Sequence, residues 1–85
     1  MNNKLLVGNI PYSAKEEDLK AIFRRAGLVA SVMIIKDRRA QSKGYGFVTM
    51  SNADEATQAI QKLNNYPLSV NGASRNLHVQ EASVK

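Results

Sequence analysis

Two stretches of this 85-residue chain carry their apolar residues on a single helical stripe, and nothing else in the sequence constrains the fold as strongly. Leu19, Ile22, Phe23 and Ala26 recur at helical spacing, and so do Ala56, Ala59, Ile60 and Leu63. A helix with one apolar stripe must bury it against a second layer. The remaining segments supply that layer, because their apolar residues alternate with a period of two and therefore share one face of a strand. Leu5 and Val7 share one side of the segment from Lys4 to Asn9, opposite Lys4, Leu6 and Gly8. From Leu28 to Lys36, β-branched residues predict a second strand with Val32 and Ile34 inward and Met33 and Ile35 outward. Residues 43–50 alternate in the same way, and near the end Leu77 and Val79 alternate with Asn76, His78 and Gln80.

Local signals place the boundaries. Ser13 followed by Glu16 reads as a capping box that starts the first helix, with Glu16, Glu17 and Asp18 at its positive end and Arg24 and Arg25 at its negative end. Gly27 reads as its left-handed stop. Ser51 or Asn52 caps the second helix, Asn64 and Asn65 offer an exit, and Pro67 prevents continuation. Asn71-Gly72 signals a turn or short hairpin within Leu68 to Gly72. Glu81 to Lys85 reads as a loose tail. The order is strand, helix, strand, strand, helix, strand, the βαββαβ pattern of ferredoxin-like folds. The expected class is α+β: two layers, a four-stranded antiparallel sheet with two helices on one face and the other face open. One domain over 1–85 is expected, its core from about 4 to 82 and a short tail at 83–85.

The open face carries the chemistry. In Lys43-Gly44-Tyr45-Gly46-Phe47-Val48-Thr49-Met50, Gly46, Val48 and Met50 point to the core while Tyr45, Phe47 and Thr49 point away from it. Two outward aromatics beside a lysine need a reason, and the glycines flanking Tyr45 leave room for another backbone or a ligand to approach closely. This octamer resembles the ribonucleoprotein signature of the RNA recognition motif, K/R-G-F/Y-G/A-F-V-x-F/Y, departing only at Met50, where a thioether replaces an aromatic. Leu5-Leu6-Val7-Gly8-Asn9-Ile10 is similar to the family's second signature, except that Leu6 stands where an aromatic usually stacks a base. The resemblance runs from Lys4 to about Ala82, and the architecture is similar to small single-domain RNA-binding proteins of bacteria and organelles, without the glycine-rich tail many of them carry.

The resemblance implies that Phe47 stacks on a base, Tyr45 packs against a neighbouring base or ribose, and Lys43 pairs with a phosphate, with Leu6 an apolar spacer between them. His78, Gln80 and Asn76 would share that face and could meet base edges. Met33 and Ile35 would widen the apolar floor. Lys4 lies on the outer side of the first strand, and Arg38 and Arg39 lie in a basic connection, Lys36 to Lys43, that reads as a mobile arm for phosphates. Single-stranded RNA is favoured over duplex, since only splayed bases can lie on a flat aromatic surface. Single-stranded DNA is not distinguished from it.

Composition supports a polyanionic partner. The net charge is +5, and the charges on the two helices cancel, so the surplus belongs to Lys4, Lys36, Arg38, Arg39, Lys43, Arg75 and Lys85, set only against Asp37 and Glu81. There is no cysteine and a lone histidine, His78, so neither a disulfide framework nor a metal site is expected, and no cofactor. Paired carboxylates, a nucleophile with its base, or a phosphate loop before a helix are not seen, so no enzyme and no small-molecule substrate are expected. The apolar run near Leu5 is too short for a signal peptide or a membrane span. A cytoplasmic monomer without membrane contact is the expectation. A second function class stays open: a protein-interaction module using Leu6, Met33, Ile35, Tyr45 and Phe47 as an apolar patch.

Overall fold

The computed structural model describes residues 3–39 and 41–82. Its elements are β1 (Lys4–Gly8), α1 (Glu16–Phe23), β2 (Val29–Lys36), β3 (Ser42–Met50), α2 (Ala53–Leu63), β4 (Pro67–Val70), β5 (Ala73–Asn76) and β6 (His78–Glu81). Four strands form one sheet in the order β2-β3-β1-β6, every neighbouring pair antiparallel, and β4 and β5 pair separately as a hairpin. The βαββαβ order therefore stands, with the hairpin inserted before the last strand. Asn71 and Gly72 both have positive φ, 50° and 83°, the geometry of a two-residue type I′ turn. The strands on either side extend the expected turn into β4 and β5.

The inner sheet face and the two helical stripes meet in one core. Leu5, Val7, Ile34, Val48, Met50 and Val79 from the sheet pack with Leu19, Ile22 and Phe23 of α1 and Ala56, Ala59 and Leu63 of α2. Met50 is fully buried, as its place on the even-numbered face predicts. Burial of such side chains contributes roughly 1.5–3 kcal/mol each before chain entropy is counted.

Several boundaries differ from the sequence expectation, most of them because a residue found a distant partner. Ser13 does not cap α1. Its hydroxyl donates to the Val70 carbonyl (3.4 Å) while Pro11–Ala14 makes a turn of its own, so the helix starts later, with Lys15 at the cap position. The Asp18 carboxylate accepts the Lys15 N–H at 2.9 Å and fills the role expected of Glu16. Gly27 is not left-handed, since among the described glycines only Gly44 and Gly72 have positive φ. It is small because a Cβ there would lie 2.8 Å from the Glu55 side chain, whose carboxylate accepts the Leu28 N–H and the Ser51 hydroxyl. Asn52 caps α2 by accepting the Glu55 N–H at 2.8 Å. Asn65 takes the left-handed exit, with φ 68°. Asn64 turns its side chain instead to the Val79 N–H (3.1 Å). Asn76 belongs to β5 rather than to the last strand. Glu81 and Ala82 are not tail: Glu81 lies opposite Leu5, and Ala82 is buried and donates its N–H to the Lys4 carbonyl. The expected tail at 83–85 lies outside the described residues.

Gly46 lies tight against the backbone of β2. A Cβ at this position would lie 2.3 Å from the Met33 carbonyl oxygen, at a register shift between Ile34 and Lys36. The close approach predicted at this glycine is thus made by the β2 backbone. Gly46→Ala is expected to cost about 1–3 kcal/mol through overpacking, seen in thermal unfolding as a Tm lowered by roughly 4–20 °C.

The outer edge of β2 is guarded by Glu16. With Ser13 out of the cap, the Glu16 carboxylate is free to accept the Ile34 N–H (3.3 Å) and to stand 3.9 Å from Lys36 Nζ. Its own backbone N–H chiefly holds its pKa below the ordinary glutamate value, and the Ile34 N–H and the Lys36 charge help it against the opposing effect of burial. A depressed folded pKa stabilises the fold above the ordinary glutamate pKa, and that contribution is lost as pH falls through the lower folded value. Glu16→Gln should therefore be less stable than the wild type at neutral pH, with the difference closing as unfolding is repeated toward acid.

Candidate nucleic-acid interface

Strand registers line up the open-face residues into a row. Met33 faces Phe47, Phe47 faces Leu6, and Leu6 faces Gln80, so one residue from each of β2, β3, β1 and β6 crosses the sheet in order. With strands about 4.8 Å apart the row spans about 14 Å. One step along, Gly8 faces His78, and Tyr45 stands two residues from Phe47 on β3. Leu6, Gly8, Tyr45, Phe47, His78 and Gln80 line a single shallow depression on this face. Six residues from three strands meet there because antiparallel pairing puts their even and odd positions in phase.

The floor is apolar and open. Met33 is 50% exposed and Tyr45 38%, while Phe47 and Leu6 are half-buried among their neighbours. A domain of this size exposes such side chains at a cost, since about 25 cal/mol is forgone for each Å² of apolar surface left in water. Gly8 adds no side chain, which leaves the space between Tyr45 and His78 clear. The Lys4 ammonium lies 4.6 Å from the Phe47 ring centroid, a cation–π contact that places positive charge at the centre of the row. Sequence alone assigned Lys4 to this face but showed no reason to join it to Phe47. Among the described residues no three His, Asp or Glu side chains are grouped as a metal site would need.

The basic residues beyond the sheet are arranged differently from the sequence expectation. Lys36 and Lys43 are strand residues, and only 37–41 connect them. The Asp37 carboxylate accepts the N–H groups of Arg39 (2.8 Å) and Gln41 (3.0 Å), and the Asp37 N–H donates to the Gln41 carbonyl. Asp37 thus ties Arg39 and Gln41 within the expected arm, because an aspartate side chain reaches backbone donors just after it. Arg38, Arg39 and Lys43 are exposed at this end of the sheet and do not line the depression. Asn76, whose carbonyl accepts a hydrogen bond from Asn9, is likewise outside it.

Three residues without a predicted ligand role form a second feature. Arg75 on β5 holds its guanidinium 5.2 Å from the ring centroid of Tyr12 and donates from Nη1 to Asn9 Oδ1 at 3.1 Å. Asn9, in the left-handed region at φ 57°, donates from Nδ2 to the Asn76 carbonyl at 2.8 Å. The only sequence signals were a tyrosine after a proline and an arginine in a turn-rich segment. Neither reveals the other.

The family model for the RNA recognition motif matches residues 5–71. The chloroplastic 31 kDa ribonucleoprotein of Nicotiana sylvestris is 44% identical over 78 residues, which is 85% of this chain and 25% of the relative. The chloroplastic 28 kDa ribonucleoprotein of Spinacia oleracea is 46% identical over 66 residues, 76% of this chain and 28% of the relative. The chain spans about a quarter of the length of these curated relatives. Among solved structures, the RNA15 RRM superposes with a TM-score of 0.86 at 28% identity, covering 96% of this chain and 91% of that one. A chain of the Sxl-lethal protein/RNA complex gives 0.86 at 28% identity, covering 100% and 49%. The cytoplasmic location expected from the sequence is overturned by the curated relatives, which are chloroplastic. That expectation rested on the shortness of the apolar run near Leu5, which has no bearing on compartment.

Proposed function

This chain belongs to the RNA recognition motif family, and we propose that it binds single-stranded RNA by stacking bases on the open sheet face. The observation that carries this is the row Met33, Phe47, Leu6, Gln80 with Lys4 poised over the Phe47 ring. Phe47 takes one base and Tyr45 a neighbouring base or ribose, while Leu6 and Met33 are apolar floor. A base arriving on Phe47 displaces the Lys4 ammonium toward the phosphate that accompanies it. His78 and Gln80, side by side on β6, present hydrogen-bonding groups to base edges. Arg38, Arg39 and Lys43 attract the backbone and set its direction without reading sequence. The 4–82 unit acts as a monomer and binds without catalysis, cofactor, membrane or small-molecule substrate. Single-stranded DNA would meet the same stacking surfaces.

Leu6 is the weak point of this platform. Leu6→Phe places a ring beside Phe47 and is expected to strengthen binding several-fold, by less than the 1–3 kcal/mol of a full stack. A titration showing weaker binding at unchanged Tm would mean that the aliphatic side chain is itself required.

Electrostatics and stacking are separable by salt. Three phosphate contacts from Arg38, Arg39 and Lys43 should give a slope of about −2 in the logarithm of the binding constant against that of salt, at about −0.7 per contact for single strands. Replacing Arg38 and Arg39 together by Ala should flatten the slope by about 1.4. Phe47→Ala should instead weaken binding by about fivefold to 150-fold with the slope nearly intact and the fold retained. Fluorescence anisotropy with a short unstructured RNA at several salt concentrations checks both. Binding that ignores salt, together with salt-insensitive capture of a protein through Leu6, Met33, Ile35, Tyr45 and Phe47, would support the apolar interaction module instead.

A further inference from the structure

Beyond the end of β1 the fold holds two planar groups in water that the sheet interface does not use. Tyr12 is 62% exposed, a large ring left outside the core. It is nonetheless positioned: its Cε1 would stand 3.2 Å from a Cβ at Gly44, where β3 passes with φ +85° and only glycine leaves the space clear. Arg75 covers the ring from β5, and Asn9 orients the guanidinium. The loop after β1, the start of β3 and the far hairpin thus converge on one exposed pair. The pair keeps both planes at the surface and adds a positive charge there.

Its position adjoins the start of β3, where the Tyr12 ring lies beside Gly44. Phe47, Tyr45 and Gly44 succeed one another toward the beginning of β3, and two strand residues span about 6.7 Å. A strand of RNA leaving Tyr45 in that direction arrives at Tyr12 and Arg75, with Lys43 next to Gly44. The sheet meanwhile has an aliphatic Leu6 where a third ring would stand. A guanidinium is flat, weakly hydrated and cationic, so its free face stacks on a base while its remaining N–H groups reach oxygen acceptors.

We propose that Tyr12 and Arg75 form a second nucleotide platform off the sheet, in which one further RNA base stacks on the outer face of Arg75 and extends the Tyr12–Arg75 stack. The platform rests on the RNA-binding function proposed above and lengthens the RNA that the domain holds.

The test compares an unstructured four-nucleotide RNA, enough for the sheet row, with an eight-nucleotide one, for the wild type, Tyr12→Ala, Tyr12→Phe, Arg75→Lys and Phe47→Ala. Tyr12→Ala and Arg75→Lys should weaken the longer RNA about fivefold or more and leave the shorter one unchanged, while Tyr12→Phe keeps the stack and the affinity. Arg75→Lys keeps the charge, so its salt slope should stay as in the wild type. In NMR titration the Arg75 Nε–H resonance should shift with the longer RNA only. No loss on the longer RNA, or equal losses on both lengths, would overturn the platform and leave the pair a joint between loop and hairpin. Phe47→Ala should weaken both lengths. If it weakens neither, the sheet interface itself fails, whereas length-independent behaviour of the Tyr12 and Arg75 variants beside an effective Phe47→Ala sinks the platform alone. Should Tyr12→Ala unfold, Arg75→Lys and the Arg75 resonance decide.

Discussion

Two helices cover one face of a four-stranded sheet and leave the other to the solvent, and the rest of this molecule follows from that division. Leu5, Val7, Ile34, Val48, Met50 and Val79 use the sealed face to build the core. Because strand side chains alternate, the same four strands must then present Leu6, Met33, Phe47 and Gln80 on the opposite side, in one row. The core and the exposed row are therefore drawn from alternate residues of the same segments. A one-residue slip of β3 would exchange them, and the close contact of Gly46 with the β2 backbone is one of the features that pins the register.

The edges of the sheet are managed by side chains rather than by more strands. Glu16 reaches the Ile34 N–H on the outer side of β2, and Asn64 reaches the Val79 N–H on the outer side of β6. Both contacts supply partners to edge groups that would otherwise offer a template for another strand. They also bind the helix layer to the sheet, since Glu16 opens α1 and Asn64 closes α2. Lys36 is drawn into the same arrangement by Glu16, which removes part of its charge from the basic end of the domain.

The remaining positive charge is distributed by distance from the sheet. Lys4 sits on the Phe47 ring, Lys43 at the start of β3, and Arg38 and Arg39 in a turn that Asp37 closes. Arg75 is held farther round, by Asn9 and Tyr12. Net charge of this kind attracts a polyanion, whereas the row between the charges is apolar.

The sequence by itself determined the layers, the strand faces and most of the depression, because these depend on period and on residue type within a few positions. Leu6, Tyr45, Phe47, His78 and Gln80 were legible in this way, as were the Asn71-Gly72 turn and the Asn52 cap. Tertiary structure alone decided what depended on partners far along the chain. Ser13 looked like a cap until Val70 took its hydroxyl, and Gly27 like a helix stop until Glu55 filled the space beside it. Asn9 and Arg75, 66 residues apart, carry no local mark of each other, and neither does the Lys4 ammonium over Phe47. The physical reason is common to all of them: backbone periodicity is written in neighbouring residues, whereas a side-chain hydrogen bond or ring contact depends on which elements the fold brings together.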